Sequence, residues 1–124
     1  MDDDQSLKQL VWIGASRKEM MAVPRAVQRT FGYGLYLAQL GDKHPDAKPL
    51  KGFHGANTLE IVEDYRGDTY RAIYTVRFIS RVYVLHVFQK KARRGIETPK
   101  NVLSLIRERL KQAEINFASD SEEL

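Results

Sequence analysis

Residues 69–91 read TYRAIYTVRFISRVYVLHVFQKK, and the way this stretch folds decides the rest. Over 69–79, Tyr70, Ala72, Tyr74, Val76 and Phe78 fall on one side of an extended chain, with Arg71, Ile73, Thr75 and Arg77 on the other. A two-residue period of this kind predicts a strand. Ile79-Ser80-Arg81 predicts a short link to a second strand over 82–91. That second strand is apolar on both sides until Lys90 and Lys91, which suits a position inside a sheet. Residues 57–65 form a third extended segment, joined through the turn signal Arg66-Gly67-Asp68. Consecutive strands with short links read as an antiparallel meander.

Working outward, LVWIGA at 10–15 is a short apolar run followed by Ser16 and, three residues on, Glu19. This is the capping-box pattern, so a strand is predicted to hand over to a helix at Ser16. Pro24 suits the first turn of a second helix, along which Val27, Phe31, Leu35 and Ala38 recur at helical spacing until Gly41. Gly32 and Gly34 are expected to permit close packing against the preceding helix, since GYG lacks the flanking pattern of a nucleotide-binding motif. Residues 41–56 hold prolines and glycines without periodicity and read as a long loop. Thr98-Pro99 reads as an N-cap and first helical position. It opens a helix with Val102, Ile106, Leu110, Ala113 and Phe117 as its apolar stripe and Arg107, Lys111 and Glu114 on the wet side. The predicted order is β-α-α-β-β-β-α. The fold class is α+β: an antiparallel sheet with two N-terminal helices and one C-terminal helix packed on it.

A chain of 124 residues suits one domain, here taken as 1–124, and 43% hydrophobic against 29% charged residues is ordinary for a folded soluble protein. Without cysteine there is no disulfide framework, thiolate nucleophile or cysteine-based zinc site. No apolar run reaches the ~20 residues of a membrane helix, and the acidic start lacks a signal core, so a cytoplasmic location with no membrane partner is expected. Residues 1–6 and 118–124 read as acidic flexible tails. Net charge is +4, but setting aside Asp2, Asp3, Asp4, Asp120, Glu122 and Glu123 leaves 20 bases against ten acids. From Arg66 to Arg94 eight Lys/Arg stand with a single acid, Asp68. Such a field attracts polyanions or an acidic protein.

His44, His54 and His86 share no metal-ligand spacing, and there is no G-x-S-x-G element and no Walker lysine, so neither metal nor cofactor is expected. What remains is the basic set Lys51, Arg66, Arg71, Lys90, Lys91, Arg93 and Arg94, with tyrosines at 65, 70 and 74. Cleaving RNA internally needs a base for the 2′-OH, cationic donors for the pentavalent phosphorane and a proton for the leaving 5′-oxygen. Guanidinium groups match phosphate oxygens and stay charged. A lysine crowded by cations has its pKa lowered toward acid–base duty. Histidine as a residue type can exchange a proton near neutrality, so His86 is a second candidate, although one histidine in an apolar strand is more often a hydrogen-bonded core residue.

Leu50-Lys51-Gly52-Phe53, residues 59–76 (LEIVEDYRGDTYRAIYTV), residues 83–91 (YVLHVFQKK) and Thr98-Pro99 together resemble the RelE/HigB toxin superfamily, specifically its phage-related branch. The resemblance runs from about residue 10 to 115. It implies a RelE-like fold and a type II toxin: an mRNA endonuclease, often acting in the ribosomal A site. Such a toxin is held inactive by a helix-turn-helix antitoxin and meets DNA only through it. It also implies that Arg71 of the Y-R-x-x-Y block and the basic strand end, Lys90 and Lys91, are catalytic. Lysines expected on the preceding strand are replaced by Glu60, Val62 and Asp64, and no tyrosine follows the Lys-Lys pair. The general acid and base therefore stay open among His86, Lys91 and Tyr74. Lys51, Arg66, Arg93 and Arg94 are expected to grip the RNA backbone. The alternative reading is a non-catalytic basic nucleic-acid-binding module, with tyrosines for base stacking. A third treats the cations as a docking surface for an acidic protein.

Overall fold

The alternation in residues 69–79 becomes a strand that stops at Thr75, with Val76–Ser80 as the connection to the next. The computed structural model describes residues 7–53, 55, 57–90 and 99–122. Along them run β1 (Gln9–Trp12), α1 (Ser16–Ala22), α2 (Arg25–Gln39), β2 (Ala47–Pro49), β3 (Thr58–Tyr65), β4 (Asp68–Thr75), β5 (Arg81–Lys90) and α3 (Lys100–Glu122). The fold is α+β, a five-stranded sheet of order β1-β5-β4-β3-β2 with two helices N-terminal and one C-terminal. β2 to β5 are antiparallel, as the short links require, while β1 adds to β5 in parallel, with Gln9 opposite Arg81 and Trp12 opposite Val84.

The hairpin between β3 and β4 turns through Arg66 and Gly67, at φ 52° and 85°. Two positive φ values in a two-residue loop belong to the turn that matches strand twist. Residues 41–56 are not wholly loop, because Ala47–Pro49 pair with Leu59–Ile61 as the edge strand. Three residues are too few to show a period, and Pro49 is tolerated at an edge where its missing N–H loses no ladder bond.

Each face of the sheet carries its own core. On one, Leu59, Ile61, Ala72, Tyr74, Val82 and Val84 meet Met20 of α1 and Val27, Phe31, Leu35 and Ala38 of α2. On the other, Ile73, Tyr83 and Leu85 meet Ile106 and Ala113 of α3, flanked by Val102, Leu110 and Phe117. The stripe read on α3 is therefore the buried one. The helix also continues to Glu122, so 118–122 is helical rather than a loose tail; Asp120 Oδ2 bonds Arg81 Nη2 at 2.8 Å.

Gly34 does permit a close approach, but to β3 rather than to the preceding helix. A Cβ there would collide with Ile61 Cδ1, which is fully buried, whereas a Cβ on Gly32 meets open space. Gly32→Ala is expected to stabilise by about 0.5–1 kcal/mol through helix propensity alone. Gly34→Ala gains the same propensity but overpacks a filled core, at a cost of about 1–3 kcal/mol. Denaturant titrations of the two variants should place Gly34→Ala clearly below Gly32→Ala.

Candidate functional site

The register lays out the α3 side of the sheet as rows. Lys48, Glu60, Ile73 and His86 form one, Val62, Arg71 and Phe88 the next, and Asp64, Thr69 and Lys90 the last. Side chains directly opposite have Cβ atoms about 5 Å apart, and diagonal neighbours stand about 7–8 Å apart. Arg71 is therefore diagonal to both His86 and Lys90. The middle of α3 covers the part of this face around Ile73 and Leu85.

Arg71 is buried and reaches back one row, where its Nη1 donates to Glu60 Oε1 at 2.8 Å. Glu60 is itself buried, because β2 covers β3 and Arg71 neutralises it. Lys90 stays partly exposed. Partial desolvation and the Arg71 guanidinium, with Lys48 adding and Glu60 opposing, hold its ammonium below the ordinary lysine value.

A second cluster joins α1, β5 and α3 around Glu19. Its Oε1 lies 2.9 Å from His86 Nδ1 and accepts from the Val87 N–H at 3.1 Å and from Arg109 Nη1 at 3.0 Å. Burial alone would raise the Glu19 carboxyl. The hydrogen bonds from His86, Arg109 and Val87, and the charge of His86, outweigh it and bring the value down to about 2. Glu19 is thus anionic, so His86 Nδ1 carries the proton and donates to it, leaving Nε2 as the other nitrogen of the ring. Arg109 Nη1 also donates to the Leu85 carbonyl at 2.9 Å. Leu85 is the residue that the β4–β5 register skips at a bulge. The His86 ring stacks on Phe88, with centroids 4.7 Å apart and planes 15° off parallel. His86 is accordingly a hydrogen-bonded, 8% exposed residue on the same sheet face as Arg71.

A protein-family model, Phage derived protein Gp49-like (DUF891), matches residues 18–111, most of the chain. The chain belongs to the Gp49-like family. That family is associated with toxins of toxin–antitoxin systems. No curated protein matches the chain. The matched span holds Glu19, Glu60, Arg71, His86, Lys90 and Arg109, so both clusters of this Gp49-like protein lie inside it.

Of the residues singled out in the sequence, Arg71, His86 and Lys90 share one sheet face, and Arg66 sits in the turn at the same end of the sheet, its guanidinium 5.2 Å over the Tyr65 ring. Lys51 is exposed in the β2–β3 connection, at the opposite end of β3. Lys91, Arg93, Arg94, His54 and the Thr98 cap lie outside the described residues. Tyr74 belongs to the opposite core and is fully buried; burial pushes its phenol up to about 12, which removes it from acid–base work near neutrality. Glu19 and Arg109 are the residues that sequence reasoning missed. Glu19 was read as half of a capping box, but α1 starts with no side-chain cap. Among the described residues no group of three His, Cys, Asp or Glu forms a metal site, and no helix is long and apolar enough to cross a membrane.

Because the folded value of Glu19 is about 2 against an ordinary 4.5, its contribution is fully present above pH 4.5 and is lost as pH falls toward 2. The contribution is on the order of 2–3 kcal/mol. Urea titrations from pH 7 to pH 2 should show Glu19→Gln less stable than wild type by about that much at neutrality, with the gap closing through this window.

Proposed function

We propose that this Gp49-like protein is the toxin of a type II toxin–antitoxin pair and acts as a metal-independent endoribonuclease on translated mRNA. The observation that carries the reading is the meeting of Arg71, a lysine of lowered pKa and an oriented histidine on one face of a rigid sheet. In this reading the reacting phosphate sits over Arg71, between its diagonal neighbours His86 and Lys90. The 2′-oxygen attacks phosphorus, the P–O5′ bond breaks, and a 2′,3′-cyclic phosphate and a 5′-hydroxyl result. Arg71 and Lys90 stabilise the phosphorane charge, and donors of this kind contribute roughly 3 kcal/mol each. His86, its Nδ1–H directed to Glu19, presents Nε2 for proton transfer, and Lys91 is the second candidate for that role. Arg66, Lys51, Arg93 and Arg94 hold the RNA backbone through their charge.

The family supports an antitoxin partner, with a helix-turn-helix protein as the expected kind and DNA met only through it. The ribosome is the proposed setting, because isolated mRNA offers no fixed register for a small basic sheet. A cytoplasmic site of action follows from that setting.

Arg71→Ala would leave Glu60 buried and unpaired, at about 3–5 kcal/mol, so it reports on folding as well as chemistry. Lys90→Met is the cleaner probe. Inducing the wild-type chain alone is expected to arrest growth with transcripts cut, while Lys90→Met, equally folded by circular dichroism, cuts roughly 100-fold more slowly. A harmless wild-type chain with intact transcripts would remove the toxin reading. RNA bound on translating ribosomes without cleavage would favour a binding module.

A further inference from the structure

On the same side of the sheet as Arg71, a cleft of about 450 Å³ opens between α3 and the start of β3. Phe53, Asn57, Arg77, Arg107, Lys111 and Glu114 border it. Three cations meet one carboxylate there, and Arg77 Nη2 already binds Glu114 Oε2 at 2.7 Å. Among the described residues no carboxylate pairs with Arg107 or Lys111. The Arg107 guanidinium lies over the Phe53 ring, 5.2 Å from its centroid. The cleft therefore offers a planar cation backed by an aromatic ring, a second cation one turn along α3 and an exposed side-chain amide at Asn57.

We infer that this cleft holds one nucleotide of single-stranded RNA next to the reacting phosphate. The base stacks on the Arg107 plane that Phe53 supports, Lys111 takes a backbone phosphate, and the Asn57 amide meets the base edge. Stacking of unpaired bases on aromatic and guanidinium planes is the usual means by which proteins grip single-stranded RNA. The volume is that of a small-ligand site rather than a flat protein-docking face. An acidic peptide would need only the cations and has no use for a planar stack or an amide.

Placement supports the same occupant. Thr58 lines the cleft, and Glu60, the partner of Arg71, is two residues along the same face of β3, about 6.5 Å away. A strand running over β3 from the cleft would reach Arg71 within one or two nucleotides. This orientation rests on the ribonuclease reading; occupancy of the cleft does not.

The test uses a fluorescein-labelled 2′-O-methyl hexanucleotide, which lacks the 2′-hydroxyl nucleophile and stays whole whatever the protein does. Anisotropy titrations at several salt concentrations are expected to show binding by the full chain. The exposed pair Arg107→Ala plus Lys111→Ala should weaken it about tenfold or more and flatten the log–log salt slope by roughly 0.7, one phosphate contact's worth. Phe53→Leu keeps apolar bulk but removes the planar support, and should weaken binding about threefold or more with the slope unchanged. Circular dichroism melts confirm that the variants fold. No binding by wild type, or equal binding by the double variant, overturns the inference. So does an oligoglutamate peptide whose binding needs Arg107 and Lys111 but ignores Phe53→Leu, since the cleft is then a protein-docking surface. Variant-sensitive binding combined with uncut natural RNA keeps the cleft and removes the ribonuclease. Cleavage with an unchanged KM in the double variant removes the cleft alone.

Discussion

The arrangement turns on one carboxylate oxygen, Glu19 Oε1. β1 ends at Trp12, opposite Val84, while β5 runs on to Lys90. Beyond that point the Val87 N–H has no neighbouring strand on the β1 side among the described residues, and Glu19 of α1 accepts it. The bulge at Leu85 leaves a carbonyl that Arg109 of α3 fills while also bonding Glu19. One ion pair thus ties α1, β5 and α3 together, and it sets where α3 crosses the sheet. Removing one partner would strand a charge in a largely desolvated place, the kind of change that costs several kcal/mol. The position of α3 in turn decides which part of the sheet face it covers and which it leaves to Phe88, Arg71 and Lys90.

The same oxygen fixes the chemistry of His86. A carboxylate held at about 2 cannot donate, so it selects the Nδ1–H form of the ring, and Phe88 sets the ring plane. Arg71 is treated in the opposite way, buried against Glu60 with one end of its guanidinium committed. The salt bridge through Nη1 fixes how the group is oriented. Lys90, with its proton affinity lowered by partial desolvation and by Arg71, completes a cationic face. For the proposed ribonuclease, donors placed in advance would not need to reorganise as charge develops in the transition state.

Much of this was legible in the sequence, and the parts that were not have a common cause. The β4 alternation, the apolar β5 and the α3 stripe are long, periodic signals, and each resolved into the expected element. Ser16 and Glu19 fit a capping box by local spacing. Yet Ser16 is buried with no side-chain cap, and the Glu19 carboxylate bonds a histidine 67 residues away. Glu60 looked like a departure from a basic pattern until β2 and Arg71 enclosed it. One signal was available and passed over: Arg109 falls three residues after Ile106 and four before Ala113, a cation on the buried stripe. A charge at such a position implies a distant partner, and the partner was Glu19.

The central claim is that a sheet face built around Arg71, Lys90 and His86 cuts RNA by its own 2′-hydroxyl. The most direct measurement is the chemistry of the ends left on mRNA after purified protein is added to translating ribosomes. The account predicts new fragments ending in a 2′,3′-cyclic phosphate with a 5′-hydroxyl on the downstream piece. Intact mRNA, or fragments bearing 3′-hydroxyl and 5′-phosphate ends, would contradict it.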